Sequence, residues 1–257
     1  MQGVLKFGGH FARGRWARVL PALLAMGLWQ WLAISLQSKT LPPPVDVLSV
    51  LWQELLSGDL LFHLGMTLRR VAISFAAAML LGAALGMLMG ASKIWDRLLD
   101  SFLILALNIP ALVTIILCYI WFGLSETAAV VAVTVNKIPM VAVSMREGAR
   151  AVDKKLLQVA RVYRLSRRDT FFQVYLPQLT PYLFASARNG LSIIWKIVLV
   201  VELLGRSDGV GFQIGNYFHF FDITGILAYT MAFACVVFAV EALLLRPLET
   251  HLNRWRE

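Results

Sequence analysis

The sequence predicts an all-α integral membrane protein with six transmembrane helices. Three observations carry that class: 59% of the 257 residues are hydrophobic against 15% charged, the mean hydropathy is +0.71, and apolar runs of spanning length recur along the chain. A soluble domain of this length needs far more charged surface. The formal charge of +9 raises nucleic acid as a partner. Lys and Arg, however, fall mostly in short segments beside apolar runs, the pattern of cytosolic loops, and nucleic acid is excluded on that ground.

A hydrocarbon core of about 30 Å takes roughly 20 apolar residues per helix. Six segments meet that need: Val19 to Leu36, Val71 to Met89, Leu99 to Phe122, Thr127 to Met145, Leu179 to Leu204 and Thr224 to Leu245. The first follows Lys6, Arg13, Arg15 and Arg18, and no small-x-small site lies near Leu36 to Leu41, so it reads as an uncleaved span. The domain organisation is then a tail over 1–18, a first span over 19–36, a segment over 37–70, a membrane core over 71–245 containing a loop at 146–178, and a tail over 246–257. With the N-terminus inside, 17 of the 24 basic residues lie in the cytosolic segments and four outside, while Lys137, Arg188 and Lys196 lie within spans. The bias places both termini in the cytoplasm.

The outer segment from Pro42 is interrupted by Asp46, Glu54, Asp59, His63, Arg69 and Arg70, so it does not span. Val47, Leu48, Leu51 and Leu55 have helical spacing, which predicts either an interfacial amphipathic helix on the outer face or a short connector that caps the bundle. Cys118 and Cys235 sit in apolar runs and read as small hydrophobes. Gly82, Gly86 and Gly90 in the second span fit close helix approach.

The fifth span holds most of the intramembrane polarity. At 100° per residue Arg188, Asn189, Ser192, Lys196 and Glu202 fall within an arc of about 140°, one polar stripe. Such groups need partners or water. Two readings stand: pairing with other helices, or lining a translocation path, where a cationic stripe suits a small anion. Asn108 near Pro110, and Asn136 with Lys137 near Pro139, are further candidates for the path or for packing around a kink.

No G-x-x-x-x-G-K-[ST] phosphate loop and no G-x-S-x-G elbow occur, and His10, His63, His219 and His251 are scattered. The chain therefore carries no catalytic motif, metal-ligand set or cofactor site of its own.

Residues 146–177, REGARAVDKKLLQVARVYRLSRRDTFFQVYLP, place Leu156, Leu157, Ala160 and Tyr163 on one helix face, with Arg161, Arg164, Arg167 and Arg168 around the rest. The spacing predicts a short amphipathic helix, a second helix capped by Ser166, and a turn into the fifth span at Leu176 and Pro177. Here the chain resembles the membrane subunits of bacterial ABC importers, whose signature is EAA, three residues, Gly, nine residues, Ile, one residue, Leu-Pro. Gln158, Val159 and Ala160, then Arg164, then Val174, Leu176 and Pro177 stand at those positions. Arg164 replaces the glycine of the turn, which demands a left-handed conformation or a different turn. The segments LPPPVDVLSVLWQELLSGDLLFHLGMTLRRV, GLSIIWKIVLVVELL and GVGFQIGNYFHFFDITGILAYTMAF extend the resemblance to the nitrate, sulfonate and taurine branch, over roughly residues 40–245.

The resemblance implies a type I importer permease fold and a coupling helix docked on a separate ATPase. Leu156, Ala160 and Tyr163 would supply its anchor, and Arg161, Arg167, Arg168 and Asp169 its register. It further implies two ATPase subunits carrying ATP and Mg, a second permease copy, and a periplasmic solute-binding protein. The solute would be a small oxyanion, a sulfonate or taurine ahead of nitrate or bicarbonate. Two alternatives remain: a permease for another small organic solute such as a vitamin precursor, and a self-contained ion-coupled transporter or channel. Glu202 and Glu241 are the acidic candidates for the latter, and no inverted repeat is visible.

Overall fold

The computed structural model describes residues 16–36, 40–245 and 247, and all regular structure among them is helical. In chain order the elements are α1 (Trp16–Leu36), α2 (Pro44–Ser57), α3 (Asp59–Ala91), α4 (Lys93–Asn108), α5 (Ala111–Phe122), α6 (Glu126–Arg150), α7 (Lys154–Val162), α8 (Arg167–Asp169), α9 (Leu176–Gly205), α10 (Val210–His219) and α11 (Ile223–Val240). Wider π-helical turns, Thr170–Tyr175 and Glu241–Leu245, lead into α9 and continue α11. The expected tails lie outside the described residues apart from 16–18 and Pro247.

The segment expected at 37–70 divides in two. Pro44 opens α2, where its fixed φ suits a first helical turn, and Gly58 at φ 87 separates α2 from α3. Residues 59–70 are therefore the first turns of a 33-residue helix rather than a connector. Their polar groups hid this: Leu60, His63, Leu64, Thr67, Arg70, Val71 and Ser74 recur at helical spacing on one buried face, and the charged members are paired there.

α3 and α6 form the spine of the bundle. A methyl added at Gly82 would lie 2.6 Å from Val141 Cβ, and Gly86 and Gly90 face Ala142 and Ala149 more closely still. The small-residue stripe thus brings two helix backbones together, where dispersion rather than water exclusion supplies the attraction. α9 packs against both α6 and α3, closing a core of Ile115, Ala129, Ala132, Val133, Ile194, Val198 and Val201.

The run Leu99 to Phe122, expected as one span, is two helices bent by 99°. Ile109, φ −72 and ψ 124, is extended because the ring of Pro110 excludes the helical conformation before it. Among the described residues α3, α6 and the 223–243 helix are long and apolar enough to cross a membrane, and the α4–α5 pair makes up to four. The apolar part of α1, Leu23–Leu36, is shorter, and α9, 30 residues long, is diluted by Arg188, Lys196 and Glu202. By this measure three to four of the six expected spans stand out among the described residues.

Candidate functional site

Asp153 caps α7, its Oδ1 accepting from Lys155 N at 2.7 Å. The helix ends in a Schellman turn: Leu165 N donates to Ala160 O and Arg164 N to Arg161 O, both at 3.0 Å. Arg164 takes φ 55, so of the two options for this residue the left-handed one is adopted. Ser166 caps the next helix as expected, accepting from Asp169 N at 3.0 Å.

The expected turn at Leu176–Pro177 does not occur. Leu176 is helical, φ −61 and ψ −41, and its N–H reaches back to Phe171 O. The π-helical turn widens the chain so that a proline without an N–H fits at the start of α9. Gln178 then does two things that the motif spacing did not reveal. Its Nε2 donates to Val174 O at 2.8 Å, and its Oε1 accepts from Asp153 N at 2.9 Å, tying the start of α7 to the start of α9.

α7 is amphipathic, but its outward apolar face differs from expectation. Ala160 is buried at 2% exposure, while Leu156, Val159, Val162 and Tyr163 are exposed. Gln158, Arg161, Arg164, Arg167 and Arg168 are also exposed, Leu176 is half-buried and Pro177 exposed. Ala160 thus faces the chain's own interior, where its small side chain allows close packing, and the free apolar surface belongs to its neighbours. Near this end Arg146 and Arg150 of α6 pair with Asp96 and Asp100 of α4, including Arg146 Nη1 to Asp100 Oδ1 at 2.5 Å.

Along α9 the predicted stripe splits. Arg188, Asn189, Ser192 and Lys196 are exposed on the single chain, with Arg188 at 4.0 Å from Glu241. Glu202 is fully buried and turned toward α3. Asn108 is exposed and donates to Ile104 O at 2.7 Å. Asn136 is half-buried, 3.5 Å from Ala111 O, holding the bend of α5 to α6. Lys137 is 2% exposed.

Glu202 belongs to a charge network at the end of the bundle opposite α7. Arg70, 1% exposed, donates to Glu126 Oε2 at 2.7 Å, Glu202 Oε1 at 2.8 Å and Asp208 O at 2.9 Å, and also pairs with the Asp208 carboxylate. Glu202 Oε2 accepts from Thr67 Oγ1 and Gly211 N, each at 2.9 Å. Val210 N donates to Thr67 Oγ1 and Gly209 N to His63 Nδ1. Gly209, at φ 105, lies against the Glu202 carboxylate where no side chain fits. Buried charges persist in apolar surroundings when geometry and hydrogen bonds compensate for desolvation, as here. Sequence reading assigned Arg70, Glu126 and Asp208 to loops. The available signal was one acid, Glu202, inside a span near a segment rich in arginine.

A family model described as the binding-protein-dependent transport system inner membrane component matches residues 78–254. SsuC of Bacillus subtilis, by its name an aliphatic sulfonates transport permease, is 32% identical over 93% of this chain and 86% of its own. The taurine transport system permease protein TauC of Escherichia coli is 29% identical over 94% and 92%. The nitrate import permease protein NrtB of Synechocystis is 30% identical over 75% and 73%. Among solved structures, a chain of the inward-facing MetNI methionine ABC transporter superposes with a TM-score of 0.63 at 16% identity, covering 74% of this chain and 94% of that one. A chain of an amino acid ABC transporter crystallised with histidines gives 0.56 at 22% identity, over 75% and 91%. The shared helical fold and the extent of the sequence match lead to one conclusion: this chain belongs to the binding-protein-dependent transport system inner membrane component family, the permease subunits of ABC importers.

Proposed function

We propose that this permease passes a small oxyanion, an aliphatic sulfonate or taurine ahead of nitrate or bicarbonate, from a periplasmic binding protein into the cytoplasm. One observation carries the substrate class: α9 leaves a polar, cationic face of Asn189, Ser192 and Lys196, with Arg188 beside it, outside the packed core of the chain. Lipid cannot satisfy such a face, so it belongs against water or another protein surface, and a second copy of this chain placed there would enclose a path. A cationic path favours an anion. The names of the sulfonate, taurine and nitrate relatives agree with that chemistry.

The drive comes from two partner ATPase subunits, which hold ATP and Mg. α7 is their contact, with Leu156, Val159, Val162 and Tyr163 as anchor, Arg161, Arg164, Arg167 and Arg168 as register, and Gln158 beside them. Ala160, Leu176 and Pro177 hold the lever to its base. The basic bias places α7 and both termini in the cytoplasm, in the bacterial inner membrane.

The test is uptake by the assembled complex in proteoliposomes with ATP inside and binding protein outside. Labelled taurine, an alkanesulfonate and nitrate are offered in turn. Saturable, ATP-dependent accumulation of at least one is expected. Accumulation of a neutral organic solute instead of all three overturns the substrate class, and accumulation without the ATPase overturns the coupling.

A further inference from the structure

Lys137 is buried in the seam between α6 and α9, yet among the described residues its ammonium has no acidic partner. It is 2% exposed, and its hydrogen-bond partner among the described residues is the Met140 sulfur at 2.9 Å, a weak acceptor. The end of its side chain lies over Gly190 of α9, where an added methyl would sit 2.9 Å from Lys137 Cε and 3.6 Å from Nζ. Two more buried donors lack partners nearby along the same helices. Thr134 Oγ1, one turn from Lys137 on α6, and Ser186 Oγ, one turn from Gly190 on α9, have no hydrogen-bond partner among the described residues.

Every other buried charge of the bundle is handled differently. Arg70 is met by three carboxylates and Glu202 by a guanidinium, a hydroxyl and a backbone N–H. The ammonium and the two hydroxyls are donors without an acceptor on the same pair of helices, and a sulfonate or nitrate group supplies acceptors only. Helical geometry sets Gly190 beside Asn189, at the edge of the exposed polar face of α9. A small shift of α9 against α6 would therefore bring the ammonium to that face.

We propose that Lys137 is an anion ligand sheathed beneath Gly190 in this conformation, which meets the transported oxyanion together with Ser186 and Thr134 when α6 and α9 part. The inference rests on the oxyanion reading and adds to it a residue that the single chain conceals. It differs from Arg188 and Lys196, which are exposed already.

The experiment uses the complete complex in proteoliposomes and whichever of taurine, an alkanesulfonate or nitrate the wild type accumulates. Lys137→Met, close in shape and uncharged, is expected to lower solute accumulated per ATP hydrolysed at least tenfold, and Lys137→Arg to recover most of it. A merely structural role would lower uptake and hydrolysis together and leave the ratio unchanged. Ser186→Ala, a smaller and milder change, is expected to raise the KM for uptake about threefold or more, and it decides the matter if Lys137→Met does not assemble. The measurements are repeated with chloride replaced by gluconate. If the effect of Lys137→Met vanishes without chloride, the lysine holds a resident ion and the proposal fails. A Lys137→Met ratio or a Ser186→Ala KM within twofold of wild type also overturns it, while the oxyanion reading stands. Failure of the wild type to accumulate any of the three anions sinks both.

Discussion

Arg70 joins the starts of α6 and α10 to the end of α9 through Glu126, Asp208 and Glu202, with almost none of its surface exposed. Removing one member of such a buried cluster leaves the others charged and unpaired, at a cost of about 3–5 kcal/mol. Arg70→Met should therefore lower the Tm of the detergent-purified protein sharply, and Arg70→Lys should recover only part because one ammonium cannot reproduce the forked contacts. Arg164 makes the opposite prediction. A non-glycine residue at φ 55 carries strain of about 1 kcal/mol, so Arg164→Gly should raise the Tm slightly if the guanidinium has no structural role. At this scale the sequence was legible where a residue's neighbours in the chain decide its state: Ser166 as a cap and Arg164 as a strained turn both follow from local chemistry. It was opaque for Arg70, Glu126 and Asp208, because a charge in a polar segment looks solvated until the fold brings partners from 56 to 138 positions away. The same reason separates Glu202 from the stripe in which its helical angle had placed it.

Among the elements, α7, the π-helical turn and the start of α9 form a lever whose parts are joined by side chains as well as by the chain. Gln178 is the joint, accepting from Asp153 N while bonding Val174 O. A net hydrogen bond contributes about 1 kcal/mol, so Gln178→Ala should speed amide hydrogen exchange at the start of α7, near 153–156, about fivefold while leaving α3 and α6 unchanged. Unchanged exchange there would show that the backbone alone sets the lever. Apolar runs and the Leu-Pro signal located this element, but not its form. Proline led the reading to a turn at 177 and to a kink within one span at 110, whereas the structure accommodates the first with a wider helix and breaks the helix at the second. The difference lies in the neighbours: Pro177 has a π-helical turn before it, and Ile109 is extended. The amphipathic α2, by contrast, was plain from spacing, and Glu54 fixes it through Tyr217 and Tyr229.

For the whole molecule, the α3–α6 spine and α9 run between two fastened ends. At one, Arg146 and Arg150 hold α4 beside the lever; at the other, Arg70 gathers α6, α9 and the 206–209 loop. On the proposed coupling role of α7, these two fastenings would pass its displacement along α9. The class of the fold was readable from hydropathy and the family from the EAA-like spacing, since both are properties of the chain's pattern rather than of its contacts. Three to four of the six expected spans stand out by length and composition among the described residues, because charges dilute α9 and the apolar part of α1 is short. The most direct test of the account substitutes Leu156→Glu with Tyr163→Glu, two exposed positions of α7, and measures ATP-dependent uptake together with the ATPase retained on the purified permease. The account predicts that both fall to background while the permease itself keeps its Tm. Undiminished uptake with the ATPase still bound would contradict it.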